Sequence, residues 1–152
     1  MTGEFSVAVH ALVVLHHHAG EIFSSEMLAK NVCTNPARIR KVMVKLRRAG
    51  LVGTKSGSEG GYYAETGVGA VNLRTICEAI DGRVVPEPWA SGDTGMDCLI
   101  ASGMAGILGE ICDAADEAGR SILAQTTIGN IEDRIFVRPC ATPCREGIKT
   151  ES

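Results

Sequence analysis

The chain has 152 residues, of which 45% are hydrophobic, 4% aromatic and 22% charged, with a formal net charge of −3. That length accommodates one domain with its own core, with room for a helical extension, and few aromatics favour a helix-rich protein over a β-sandwich. No apolar run reaches the roughly 20 residues of a membrane-spanning helix, and the N-terminus shows neither a basic segment nor a cleavage site, so a cytoplasmic protein with six mostly reduced cysteines is expected.

Residues 4–18 read as a first helix, with Phe5, Ala8, Val9, Leu12 and Leu15 at helical spacing. It closes in His16, His17 and His18, which point three ways around a helix and cannot share one metal ion; histidines near a helix C-terminus are favourable on their own account. Ser24 caps a short second helix, with Glu26 in its first turn and Met27 and Leu28 turned inward. Residues 31–34 make a tight connection into Asn35–Gly50, NPARIRKVMVKLRRAG. There Asn35 serves as cap, Pro36 suits the first helical position and Gly50 supplies the stop. Ile39, Val42, Met43 and Leu46 form the buried face, while Arg38, Lys41, Lys45 and Arg48 fall opposite, flanked by Arg40 and Arg47.

A short helix, a brief turn and a longer basic helix is the helix-turn-helix arrangement, although an ordinary helical hairpin with a charged face has the same pattern. Charge favours the first. Between Met27 and Ser58 there is no acid but there are eight of the fifteen basic residues, so the rest of the chain holds seven basic side chains against all eighteen acids. One pole can neutralise phosphates while the acidic body stays well hydrated. Leu51, Val52 and Thr54, then a tip from Lys55 to Gly61, then Tyr62 and Tyr63, predict a hairpin with a glycine-rich loop, the place of a wing.

Asn72 caps a further helix bearing Leu73, Ile76, Cys77 and Ile80, ending at Asp81-Gly82. Residues 83–97, with Trp89 and the acids Glu87, Asp93 and Asp97, read as a loop. Beyond Cys98 a long helix carries Met104, Leu108, Ile111, Ala115, Ala118 and Ile122 at spacings of 4, 3, 4, 3 and 4, a coiled-coil-like seam that predicts a homodimer interface. Thr127 caps a last helix with Ile128, Ile131 and Ile135, and residues 137–152 are expected to form a disordered tail.

The order and spacing of these pieces resemble the Rrf-two family of bacterial winged-helix transcription regulators. The resemblance rests on VAVHALVVL, SSEMLAKNV, NPARIRKVMVKLRRAGLV, GSEGGYY and VNLRTICEAIDG, and it covers about residues 3–135. It implies a mostly α fold with a small β-hairpin wing: a winged helix-turn-helix domain over 1–82, the loop 83–97, and a dimerisation helix plus short terminal helix over 98–136. It also implies a homodimer on a pseudo-palindromic double-stranded DNA operator, the third helix in the major groove. Carried over by position, Ser24 and Ser25 would touch phosphate, and Asn35, Ala37, Arg38 and Lys41 would lie nearest the bases. Lys45 would approach the backbone, and Gly57, Gly60, Gly61 and Tyr62 would form the wing contact; Arg40 and Lys55 join this set as neighbouring cations.

Two departures from the pattern stand out. Cluster-bearing members place three cysteines between the fourth helix and the dimer helix, where this chain has only Cys98, so no iron–sulfur cofactor is expected. The wing has Ser56-Gly57 where an Arg-Gly step is common, with Glu59 at its tip. Cys98 at a helix start is a candidate redox sensor, opposed by the neighbouring Asp97; Cys33 and Cys77 are expected in the core, and Cys140 and Cys144 in the tail. No catalytic constellation is present. The expected function is a DNA-binding transcriptional repressor, and the rival reading is a winged-helix module that docks a partner enzyme.

Overall fold

A computed structural model describes residues 3–137. Six α-helices and one hairpin follow in order: α1 (Gly3–His17), α2 (Ser25–Val32), α3 (Pro36–Arg48), β1 (Val52–Lys55), β2 (Gly61–Ala64), a short 3-10 turn (Val68–Ala70), α4 (Leu73–Ala79), α5 (Leu99–Leu123) and α6 (Ile128–Val137). The tail beyond, with Cys140 and Cys144, lies outside the described residues.

α1 is the spine. Its residues from Val7 to Leu15 are apolar nearly all round and largely buried, the signature of a helix enclosed by others. Around it Leu28 from α2, Ile39, Val42, Met43 and Leu46 from α3, Ile76 and Ile80 at α4, and Ile128 from α6 close one core, each at 2% exposure or less. Truncating any of these to alanine costs about 2–5 kcal/mol.

The caps act as the sequence implies. Ser24 Oγ accepts from the Met27 N–H at 3.1 Å, Asn35 Oδ1 from the Arg38 N–H at 2.8 Å, and Asn72 Oδ1 from the Thr75 N–H at 2.9 Å. α6 opens with a reciprocal pair: Asn130 Oδ1 accepts from the Thr127 N–H and Thr127 Oγ1 accepts from the Asn130 N–H. Pro36 occupies the start of α3.

Two inward assignments fail. Met27 is 51% exposed, because Leu28 and Ala29 set the buried face of α2 and Met27 stands one step of about 100° off it. Cys33 is exposed: it takes the left-handed cap position of α2 at φ 57°, donating its N–H to the Ala29 carbonyl while its side chain turns outward. Cys77 is buried as expected, and burial raises its thiol pKa.

The hairpin is antiparallel, with Val52 opposite Ala64, Gly53 opposite Tyr63, Thr54 opposite Tyr62 and Lys55 opposite Gly61. It is docked as well as paired. Tyr62 and Phe23 exchange two backbone hydrogen bonds, at 2.9 and 2.8 Å, so the segment before α2 acts as a third strand. Gly61 is required there, since any side chain would run into the Phe23 carbonyl.

Residues 83–97 contain no helix or strand, and α5 packs against α4. The junction is polar. Asp116 is 6% exposed and accepts from the backbone N–H groups of Val84 and Val85 at 2.7 and 3.0 Å and from Arg120 at 2.7 Å. Arg120 in turn donates to the Gly82 carbonyl at 2.7 Å. This network fixes where α5 leaves the body. α6 returns to α1: His16 and His17 each reach one oxygen of Glu132, at 3.0 and 2.6 Å, and the His17 ring stacks on Phe136.

Candidate nucleic-acid interface

Three elements meet on one face: the start of α2, the exposed side of α3 and the wing. The Phe23–Tyr62 bridge brings the wing beside the α2 cap and leaves a hollow of about 270 Å³ lined by Ser24, Ser25, Glu26, Thr54, Lys55, Gly60, Gly61 and Tyr62. Six of these are sequence-predicted site residues drawn from two stretches some thirty positions apart. Gly57, at φ 111°, sits further out on the tip with Lys55 and Glu59 exposed nearby.

On α3, Ala37, Arg38, Arg40, Lys41, Arg47 and Arg48 are exposed. Asn35 is exposed too, but its side chain is engaged as the helix cap. The face is less purely cationic in space than along the chain. Arg40 Nη1 donates to Ser25 Oγ at 3.0 Å and lies 3.5 Å from Glu26, tying α3 to the start of α2. Lys41 meets Glu4 of α1 at 2.5 Å.

Lys45 is held more tightly. Its ammonium donates to Glu4 at 3.3 Å and to the Ile80 carbonyl at 2.8 Å, with Asp81 at 3.8 Å. Lys41 chiefly, with Lys45, draws the Glu4 carboxyl below its ordinary pKa. Glu26 is likewise lowered, by its own backbone N–H and by Ser25. Among the described residues Arg38, Arg47, Arg48 and Lys55 form no ion pair. Glu4 and Thr54 carry no local signal of their place here; Glu26 was visible only as a first-turn acid.

Cys98 occupies the N-cap position of α5 and is exposed. The backbone N–H groups of Ala101 and Ile100 lower its pKa, the expected effect of a helix start on a thiolate, although neither closes a capping hydrogen bond on the sulfur. The residues of the predicted seam are uncovered: Met104, Ile111, Ala115, Ala118 and Ile122 are exposed and Leu108 is half-buried.

A family profile described as Rrf2, iron-dependent transcriptional regulator, matches residues 1–134. A crystal structure from Lactobacillus plantarum, described as that of a transcriptional regulator, superposes with a TM-score of 0.78 at 25% identity, covering 91% of this chain and 93% of that one. CymR, the global cysteine regulator of B. subtilis, has a TM-score of 0.60 at 21% identity, covering 88% and 96%. IscR of T. potens has 0.64 at 15%, covering 89% and 87%. The last two likenesses speak to fold alone. No curated protein matches the chain.

The iron in that description can be tested against the donors present. Among the described residues no three His, Cys, Asp or Glu side chains converge on a point that could hold a metal. Cys98 is exposed at the start of α5, Cys77 is sealed in the core, Cys33 caps α2, and Cys112 lies most of four turns along α5 from Cys98. The described thiols do not fit an iron–sulfur cluster.

Proposed function

The chain belongs to the Rrf2 family of transcriptional regulators, and from that premise we propose that it binds double-stranded DNA as a homodimer and represses transcription at a pseudo-palindromic operator. It is a regulator and not an enzyme. The observation that carries the proposal is the single exposed face where the α3 cations stand beside the α2 cap and the wing hollow.

The division of labour follows from the contacts. Arg38, which forms no ion pair among the described residues, and Lys41, exposed but held by Glu4, are the side chains near the start of α3 that would meet a major groove; an arginine reads guanine bidentately for about 1–3 kcal/mol of discrimination. Ser24, Ser25, Lys55, Gly60, Gly61 and Tyr62 surround a hollow suited to a phosphate, which positions without specifying. Asn35 and Ala37 shape the entry of α3, and Gly57 lets the wing tip approach the backbone. Arg40, linked to Ser25 and Glu26, couples the two halves of the face. Lys45 acts from behind, orienting α3 on α1 and α4. One winged helix covers one half-site, so a palindromic operator calls for two copies, with the exposed α5 seam of Met104, Leu108, Ile111, Ala115, Ala118 and Ile122 as their contact.

Cys98 is the candidate redox element: its thiolate can attack a peroxide oxygen, giving a sulfenic acid and releasing the other oxygen as water or alcohol. The α5 start would change charge and size at that step.

The test is binding to duplex fragments from the gene's own upstream region, read by fluorescence anisotropy. Affinity should fall steeply, by orders of magnitude, between about 50 and 200 mM salt. The Arg38→Glu/Lys41→Glu double variant should lose specific binding while remaining dimeric. Absence of binding to any fragment at low salt would end the DNA reading and favour an enzyme-docking module.

A further inference from the structure

The buried stripe of α3 is complete without Val44. Ile39, Val42, Met43 and Leu46 are fully enclosed, whereas Val44 is 49% exposed. At about 100° per residue it points within about 30° of the direction opposite that stripe. Ala37, Lys41 and Arg48 share this outermost line of the helix. The residues three and four positions from Val44, its neighbours on the helix surface, are Arg40, Lys41, Arg47 and Arg48, every one a cation. Single exposed apolar side chains are ordinary on a protein surface. This one stands in the middle of a cationic face, where a lysine or arginine would serve phosphate binding and would also be the better helix former.

Ion pairs keep the valine uncovered. Arg40 is drawn to α2, donating to Ser25 Oγ at 3.0 Å with Glu26 at 3.5 Å. Lys41 is drawn instead to Glu4 of α1. Two of the four long side chains around Val44 are therefore tied to neighbouring helices, and an apolar spot stays open beside them. It lies about 10 Å along the helix from Ala37, two turns on.

We propose that Val44 is a specificity-determining residue that packs on the 5-methyl group of a thymine in the major groove. The inference rests on the DNA-binding reading above and adds to it a base contact made without a hydrogen bond. Thymine alone of the four bases presents a methyl group in that groove, and small apolar side chains are its natural partners. A side chain on the outermost line of an inserted helix lies nearest the base edges, and Val44 has no polar atom to offer a phosphate. The cations around it supply the backbone contacts that hold the helix in place. Ala37 shares the line but ends at its Cβ, whereas Val44 extends two further methyl groups.

The probe is the duplex that the full-length protein selects from a random pool, remade with each thymine in turn as deoxyuridine, which lacks only the 5-methyl group. Binding is read by fluorescence anisotropy at fixed salt. At one or more thymines the parent protein should bind the deoxyuridine duplex about fourfold more weakly, the worth of one methyl group taken out of water. Val44→Ala should bind the thymine and deoxyuridine forms alike, so that the two changes are coupled in a double-mutant cycle. A parent protein indifferent to every thymine methyl, or a selected duplex without thymine, overturns the assignment and leaves DNA binding standing. So does a Val44→Ala protein that keeps the parent's sensitivity at the same thymine, the result expected if Val44 only supports the helix. A Val44→Ala protein that binds neither form also overturns it, since one methyl contact does not carry all the affinity. Failure to select any duplex overturns the DNA reading and this inference together.

Discussion

The carboxylate of Glu4, in the first turn of α1, sits 3.3 Å from the ammonium of Lys45, near the end of α3. That pair joins the spine of the fold to its basic helix, and it shares Glu4 with the more exposed Lys41. Glu4→Gln should free Lys41 for phosphate. DNA affinity at low salt should rise and the salt slope should steepen by about one unit per added contact. Because the pairs are partly solvated, stability should drop by about 1 kcal/mol or less. Anisotropy titrations across salt and urea unfolding check both; a shallower slope would show that Glu4 serves α3 by orientation alone.

Asp116 sets an acid limit. Chiefly Arg120, then the Val85 N–H, lower its pKa from 3.8 to about 2. A carboxyl depressed in the folded state adds stability that is present in full above its unfolded pKa and lost as pH falls through the folded value. The contribution is roughly 2 kcal/mol at neutral pH, declining from about pH 4 to about pH 2. Asp116→Asn should abolish that component of the pH dependence in denaturant melts. An unchanged acid limb would mean that the α5 junction does not hold in solution.

Gly61→Ala places a methyl group against the Phe23 carbonyl. The two backbone bonds between Phe23 and Tyr62 should break, and their amides should exchange with solvent far faster than in the parent protein. DNA affinity should weaken as the wing swings away from the α2 cap. Retained protection at Tyr62 would contradict the docking described above.

Thiol reactivity should rank the described cysteines. Cys98, exposed and lowered by two backbone N–H groups, should alkylate fastest near neutral pH. Cys77, buried and raised, should react last in the native protein. Peptide-resolved mass spectrometry of timed iodoacetamide labelling gives the order. If Cys33 outpaces Cys98, the helix start is not activating the thiol and the redox reading of Cys98 loses its chemical basis.

The contrast between α3 and Glu4 shows what a sequence exposes and what it withholds. Asn35, Pro36 and the Ile39–Leu46 stripe act within a few residues of one another, so their caps and buried face were legible along the chain. The same locality placed Ser24, Asn72 and the hairpin. Glu4, by contrast, reaches Lys41 across 37 positions, and no periodicity announces a contact made only by packing α1 across α3. Met27 and Cys33 failed for a related reason: a short helix leaves its phase uncertain by one residue, and a left-handed cap turns a side chain outward. The hollow under the wing was legible as residues but not as a cavity, because the Phe23–Tyr62 bridge that closes it joins two separate segments.

The two histidines that share Glu132 have a mechanical consequence. α6 is fastened to the carboxyl end of α1, and the amino end of α1 carries Glu4, which grips the basic helix. Force applied to the chain past Val137 therefore enters α1 through these histidines as well as the segment before α4 through the Asn72–Thr127 bridge. A fusion or tether attached at that terminus loads a lever whose short arm is the helix offered to the duplex.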